Sequence, residues 1–422
     1  MLLRFGVTNH RSLRERQELS LVASSLDGSE DGLIECRHAP GGRLVPAAVI
    51  YGANASGKSN LVRALQWMRT AVLESHRGST AGEVVPRRPF ALDAASASMP
   101  SAFDIDFVSG GVRYNYGFET SDTAILTEWL LAFPKNHRQV LFERKSKDIS
   151  FGRNLKGRNH VIADLTRPNS LFLSAAAQNG HDELARISQF FRTITVPRPA
   201  LDGIRPIEKG ASLDDRALHL LKMAGTGVIG HRIMDMQSDA VVGPLMSKFG
   251  TFIAQERGIP ADLMEAALRD MGRIELAHQG ADGQSVFLKY SEESEGTRRL
   301  VDLLPAVYRA LDVGSVLVVD ELDASLHTRA CELLLALFSS HVTNPKGAQM
   351  IATTHDTNLL HSSLLRRDQI WLTEKDHEGA THLYPLTDIR TRKTDNIARG
   401  YLQGRYGAIP FAGNVGDLLA TL

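Results

Sequence analysis

Gly52-Ala53-Asn54-Ala55-Ser56-Gly57-Lys58-Ser59 sets two glycines, a lysine and a hydroxyl at the spacing G-x-x-x-x-G-K-S. Glycines at both ends let the loop fold tightly enough for successive N–H groups to point inward, forming an anion nest at the start of a helix. Lys58 would place its ammonium against the β and γ oxygens of a triphosphate, and Ser59 would offer its hydroxyl to Mg²⁺. The loop therefore predicts a grip on ATP through Gly52, Asn54, Ala55, Ser56, Gly57, Lys58, Ser59 and the adjoining Asn60. An Asn-Lys-x-Asp guanine motif is missing, which disfavours GTP.

A second acidic constellation lies far along the chain. Val316-Leu317-Val318-Val319-Asp320-Glu321 is a short apolar, β-branched run ending in two carboxylates, as expected of a central parallel strand whose carboxyl end faces a ligand. Asp320 would hold Mg²⁺, directly or through water. Glu321, one residue on and directed differently, would act as the general base on the attacking water. Ser294-Glu295-Gly296-Thr297 opens a helical pattern carried by Leu300, Leu303, Leu304, Val307 and Leu311, and such a start offers N–H groups and hydroxyls to an anion. Gln349 to Thr354 reads as a further buried strand leading to His355.

The elements that position these groups follow from hydrophobic spacing. Leu44-Val45 and Ala47 to Tyr51 form a buried strand into the loop, and Leu61, Leu65, Met68 and Val72 repeat at helical intervals behind it. Leu2 to Val7 reads as a first strand, followed by a turn at Asn9-His10-Arg11-Ser12. Residues 103–107 and 112–118 alternate around Ser109-Gly110-Gly111 and predict a β-hairpin. Alternation puts Asp104 and Asp106 on one polar face, so a solvated face is preferred to a metal site. Lys135 to Arg158 carries eight basic residues against two acidic ones. That stretch is either a surface for a phosphate backbone, DNA included, or an ordinary solvated hairpin. Residues 181–284 read as a mostly helical insertion, from Leu184-Ile187-Phe190-Phe191, Leu218-Leu221, Ile229-Ile233 and Leu263-Ala267-Met271. The lobes around it span residues 1–180 and 285–422.

Composition limits the partners. The 422 residues are 43% hydrophobic, and 48 Lys plus Arg balance 48 Asp plus Glu, so no global field draws the chain to nucleic acid or an anionic membrane. Cys36 and Cys331 stand far apart, without metal-ligand spacing, as suits a reducing compartment. Nowhere do eighteen apolar residues follow one another. A soluble, cytoplasmic protein that touches no membrane is expected.

With these residues in place the chain resembles an ABC-type ATPase of the SMC/RecF/OLD branch, and more closely the ATPase subunits of prokaryotic two-gene phage-defence modules. The match runs through Phe5 to Leu21, Gly52 to Asn60, Ser294 to Leu300, Asp320 to Leu326 and Thr354-His355-Asp356. The resemblance implies an α/β head, in which a mixed parallel sheet is flanked by helices and joined by an antiparallel β subdomain. It implies that His355 is the switch histidine on the γ-phosphate and that Asp323 belongs to the D-loop at a dimer interface. Gln178 is nominated for the Q-loop, as a ligand of both nucleotide and Mg²⁺, with Gln139 as its competitor. Ser294, Gly296 and Thr297 would form the signature that closes over ATP held by a second copy, making a homodimer cemented by ATP. Glu295 and Thr297 depart from the transporter signature and resemble the SMC-like variants. The segment after His355, with a hairpin of residues 368–372 and 381–386, leaves no room for the nuclease domain of OLD proteins. The effector, nuclease-like in this reading, is then a separate protein. A RecF-like or SMC-like DNA-binding ATPase is the alternative.

Overall fold

The computed structural model describes residues 1–25, 30, 32–78, 80, 82–197, 206–208, 212–235, 244, 248, 250–252, 271–361, 364–392 and 395–408. They divide into two compact units. The first comprises Met1–Val196, Ala310–Asp323 and Leu334–Leu422, and the second Pro197–Arg309 and Ala324–Leu333.

At the heart of the first unit is a five-stranded sheet. Its order is Val316–Val319, Gln349–Thr353, Ala47–Gly52, Ile370–Lys375, Thr381–Pro385, the first four parallel and the last antiparallel. Every residue of Ala47–Gly52 and of Gln349–Thr353 is buried, the expected state of strands covered on both faces. The strand entering the phosphate loop is thus the central one. Val316–Val319, expected to be central, instead ends this order and among the described residues is flanked by an isolated bridge to Thr195, whose N–H donates to Val316 O at 2.8 Å. The strand is too short, and the Thr195 segment too irregular, to extend the ladder further.

A seven-stranded sheet makes the antiparallel subdomain. Its order is Asp148–Phe151, Gln139–Lys145, Ile125–Phe133, Val112–Thr120, Ser101–Ser109, Leu2–Thr8, Gln17–Ser20. The hairpin at residues 103–118 forms with longer strands than the alternation marked. Its inward residues build an aromatic core: Phe107 stacks on Phe190 at 4.2 Å between centroids, and Tyr116 meets Phe191 edge-on. Phe190 and Phe191 belong to the helix Asp182–Thr193, whose apolar face is buried in this unit. That helix, placed by periodicity at the start of the insertion, is therefore part of the head, and the division falls at Pro197 rather than residue 181.

The second unit corrects the helical reading of the insertion. Among its described residues, Met271–Gln279 pairs with Val228–Asp235 along one edge and with Pro206–Glu208 and Ser285–Lys289 along the other, all antiparallel. Ile229 and Ile233 lie in a strand, where β-branched residues pack well. Met271 opens another, while residues 263 and 267 lie outside the described residues. Leu218 and Leu221 are helical, within Asp215–Met223. Among the described residues no helix is long and apolar enough to cross a membrane.

Two expectations about charge resolve locally. Asp104 pairs with Arg16, and Asp106 makes two bonds to Arg113, at 3.0 and 2.6 Å. Both carboxylates are thus committed to arginines, and Asp106 is buried where a solvated face was expected. In the basic stretch, Arg144 is buried and serves the fold. It donates to Ser170 O at 2.6 Å and stands 3.7 Å from buried Glu128, which caps the helix Phe172–Gln178 through Phe172 N and Leu173 N. The seven other basic residues of the stretch are exposed.

Candidate functional site

The strand Ala47–Gly52 delivers the chain into the loop, and the helix Lys58–Gly78 leaves it. The first turn of that helix has N–H groups with no intrahelical partner, directed toward whatever occupies the loop. Gly52 and Gly57 have φ values of 158° and 109°, and Ala55 turns left-handed at 63°. Gly57 is needed twice over. Its φ is one that side chains rarely adopt, and a Cβ there would meet Thr381 Oγ1 at 2.1 Å. Gly52 likewise leaves room for Thr373.

Those two threonines come from the C-terminal hairpin and brace the loop from behind. Thr373 Oγ1 and Ser56 Oγ are 2.6 Å apart, and Thr381 Oγ1 lies 2.7 Å from both Ser56 O and Ser12 Oγ. Asn60 Nδ2 donates to Ser12 Oγ at 2.7 Å, tying the turn after the first strand into the same network. Neither threonine is visible as a site residue in sequence, because each lies more than 300 positions from the loop it supports.

Lys58 is almost fully buried. Its ammonium donates to Gly52 O at 2.8 Å and Ala53 O at 3.0 Å and stands 3.4 Å from His355 Nδ1. Burial lowers its pKa from 10.5 to about 8, against the upward pull of Asp323, Asp320 and Glu321. Such an ammonium lacks a full counter-charge, which a bound polyphosphate would supply.

The acidic pair meets the loop at the end of the neighbouring strands. Ser59 Oγ donates to Asp320 Oδ1 at 3.0 Å, and Thr353 Oγ1 donates to the same oxygen at 2.7 Å. The Glu321 N–H donates to Thr353 Oγ1, also at 2.7 Å, and Glu321 itself is exposed with φ 53°. His355 N–H is held by both carboxylate oxygens of Asp323, at 3.2 and 3.1 Å, so Asp323 orients the histidine segment of its own chain. Hydroxyl and carboxylate oxygens suit Mg²⁺, which keeps several waters and shares the rest of its shell with phosphate. Among the described residues no group of three or more His, Cys, Asp or Glu forms a separate metal centre. The donor set of Ser59 and Asp320 therefore fits Mg²⁺.

Lys58, Ser59, Asp320, Glu321, Asp323 and His355 are thus brought together, with Thr353 as the member that motif reading missed. It ends the Gln349–Thr353 strand level with the acids, a pairing that only the folded sheet reveals. Gln178 does not join them. It ends the helix Phe172–Gln178, exposed, and reaches Leu73 O at 3.4 Å. Leu73 lies four turns along the loop's helix from Lys58, about 20 Å away, so Gln178 is out of reach of the Ser59 and Asp320 oxygens. The competitor Gln139 opens a strand of the antiparallel sheet, opposite Ala132.

In the second unit the signature segment forms a capped helix start. Ser294 Oγ accepts from Thr297 N at 3.1 Å and lies 2.9 Å from Thr297 Oγ1, and the helix runs Glu295–Val313. Gly296 permits a close approach: a Cβ there would stand 2.8 Å from Ser325 O, while Ser325 Oγ donates to Glu295 at 3.1 Å. Ser294 and Glu295 are exposed.

No curated protein matches the chain at the level required for a relative. Residues 47–361, well over half of the chain, match the family described as AAA domain, putative AbiEii toxin, Type IV TA system, and the chain belongs to that family of P-loop ATPase domains linked to toxin–antitoxin and abortive-infection systems.

Proposed function

We propose that the protein hydrolyses ATP with Mg²⁺ in a nucleotide-sandwich homodimer that switches a separate effector protein in phage defence. The observation that carries the hydrolytic reading is the corner in which Ser59 and Thr353 both donate to Asp320 while Lys58 stands buried beside it. Lys58 would bind the β and γ oxygens, and Ser59 and Asp320 would hold Mg²⁺, which neutralises phosphate charge when bound. Glu321, exposed at the strand end, would accept the proton of the attacking water. His355, held through its backbone by Asp323, would donate to the γ-phosphate.

The dimer is supported by the signature start. Ser294, exposed, caps a helix start whose next turn holds half-buried Gly296 and buried Thr297, and a capped helix N-terminus is an anion-binding feature. By the resemblance to ABC-type heads, each site would be completed by Ser294 and Gly296 of a second copy. ATP binding would then join the copies and hydrolysis release them. The effector and the defence role rest on the family's link to two-gene toxin–antitoxin and abortive-infection modules.

Glu321→Gln tests the model. Hydrolysis is expected to fall by roughly 10²–10⁴, and the variant should accumulate as an ATP-bound dimer. A variant that stays monomeric with saturating ATP and Mg²⁺ would sink the sandwich.

One observation favours a second reading, a DNA-binding ATPase. Lys135, Arg138, Lys145, Lys147, Arg153, Lys156 and Arg158 are exposed around one edge hairpin. Duplex affinity that falls steeply with salt and responds to ATP would support it. A shallow slope indifferent to ATP would remove it.

A further inference from the structure

A cavity of about 550 Å³ opens in the first unit, beside the phosphate-binding loop and not within it. None of residues 52–60 lines it. Its wall begins at Arg63, one helical turn beyond Ser59, and follows the same helix through Trp67 to Glu74. The volume falls within the roughly 300–1,000 Å³ typical of small-molecule sites.

One end of this cavity is cationic. Arg11, Arg63 and Arg88 gather there, close enough for Arg88 and Arg63 to add to the burial that lowers the Arg11 pKa. No carboxylate among the described residues pairs with any of the three. Of the two glutamates on the wall, Glu74 stands about three helical turns beyond Arg63, and the Glu83 carboxylate accepts from Thr80 N at 2.7 Å.

The backbone is built to hold them. Asn9 and Arg11 both adopt left-handed φ values, 53° and 55°. Asn9 is fixed by donating to Ser96 O at 2.7 Å and Met99 O at 2.9 Å and by accepting from Phe90 N at 2.9 Å. The Arg11 N–H donates to Arg88 O at 2.7 Å. Between them His10 is 1% exposed, edge-on to Phe103, and it faces the cavity with neither Nδ1 nor Nε2 hydrogen-bonded. Buried polar atoms are nearly always paired, so a buried imidazole with two unused nitrogens marks a place where a partner is expected, and the three solvent-facing guanidiniums beside it favour an anionic one. The remaining wall is mixed: Trp67, Ile125 and Leu171 give it an apolar stretch beside Gln66, Thr70 and Asn169, with the Trp67 indole N–H already committed to Pro86 O at 3.0 Å.

We propose that this cavity binds a nucleoside monophosphate, separate from the triphosphate at Lys58. Its phosphate would rest on Arg11, Arg63 and Arg88 with His10 as a further donor, and its base would lie along Trp67. Such a site would let the ATPase respond to a second nucleotide signal, with the helix Lys58–Gly78 shared between the two sites.

The test is equilibrium binding of 5′-AMP, 5′-GMP, 5′-CMP and 5′-UMP, each read by calorimetry on the full chain and by the fluorescence of a Trp129→Phe, Trp371→Phe variant that keeps Trp67. It is run in saturating non-hydrolysable ATP analogue with Mg²⁺, and repeated on Lys58→Ala without analogue. At least one monophosphate should bind with a Kd below about 1 mM in both settings. Arg63→Glu and Arg88→Glu, both at exposed positions, should weaken it about tenfold or more and leave analogue affinity within about twofold. Three results would overturn the proposal: no monophosphate binding in that range, displacement of the monophosphate by the analogue, or loss of analogue affinity in the arginine variants as large as in Lys58→Ala. The last would make the cavity the nucleoside end of the triphosphate site. Failure of analogue binding in the unmodified chain would instead count against the ATPase reading.

Discussion

The Thr353 hydroxyl donates to the Asp320 carboxylate at 2.7 Å and accepts the Glu321 N–H at the same distance, so one side chain couples the acid proposed to hold Mg²⁺ to the backbone of the proposed general base. Thr353 is fully buried at the end of its strand, and valine would keep its shape without the hydroxyl. Thr353→Val leaves the Glu321 N–H without its partner and Asp320 with one hydroxyl fewer. A loss of about 1–3 kcal/mol in unfolding free energy is expected, together with a higher Mg²⁺ requirement for hydrolysis. Thr353→Ser should restore most of both. Urea unfolding and a Mg²⁺ titration of the ATPase rate read the two effects, and a valine variant with unchanged Mg²⁺ dependence would remove Thr353 from the site.

The hairpin brace makes a second expectation. Thr381→Val removes the contacts to Ser12 Oγ and Ser56 O while leaving the surrounding packing volume. Two lost hydrogen bonds of ordinary strength would weaken the loop's nest rather than the fold. Affinity for a fluorescent ATP analogue should fall about fivefold to tenfold, with Thr381→Ser close to the parent. Equal affinities in the valine and serine variants would show that the hairpin merely covers the loop.

How far the sequence revealed this arrangement depended on the range of the contacts. Strand, loop and helix around Gly52 to Ser59 are local in cause, since buried β-branched residues, glycine and helical spacing suffice to mark them. Asp320 and Glu321 were legible for the same reason, as a wholly apolar run ending in acids. Thr353 and Thr381 were not, because a threonine at a strand end looks the same whether or not it faces a phosphate loop. Gln178 shows the converse. Its place in chain order suited a ligand, yet the helix it ends packs along the far part of the Lys58–Gly78 helix. The insertion misled because Ile229 and Ile233 sit four apart, a helical spacing that two residues of the same strand face also satisfy.

Glu321 carries a backbone conformation that costs a side chain about 1–2 kcal/mol and that asparagine tolerates better. Glu321→Asn is therefore expected to stabilise the fold by roughly 0.5–1 kcal/mol while removing the proposed general base. Thermal unfolding and steady-state hydrolysis should move in opposite directions. A variant that loses both stability and activity would mean that the Glu321 side chain supports the fold through its own contacts and that the left-handed turn is not a reservoir of strain.

Lys58 gives the last expectation, in which the sign follows from burial. Its pKa in the folded, unliganded protein lies at about 8, against 10.5 for an unburied lysine, with burial the leading cause. Below pH 8 the ammonium is present in both folded and unfolded chains. Between about 8 and 10.5 the unfolded chain binds more protons, so the unliganded fold gains stability as pH rises through that window. Triphosphate binding runs the other way. It requires the charged form, so above pH 8 each binding event must take up a proton, and affinity should fall by up to about tenfold per pH unit. Titrating an ATP analogue from about pH 7 to about pH 9.5 in buffers of different ionisation enthalpy measures both the affinity and the proton uptake. Flat affinity across that range, or binding without proton uptake near its upper end, would mean that Lys58 keeps its charge in the free site and that the Gly52 and Ala53 carbonyls offset its burial.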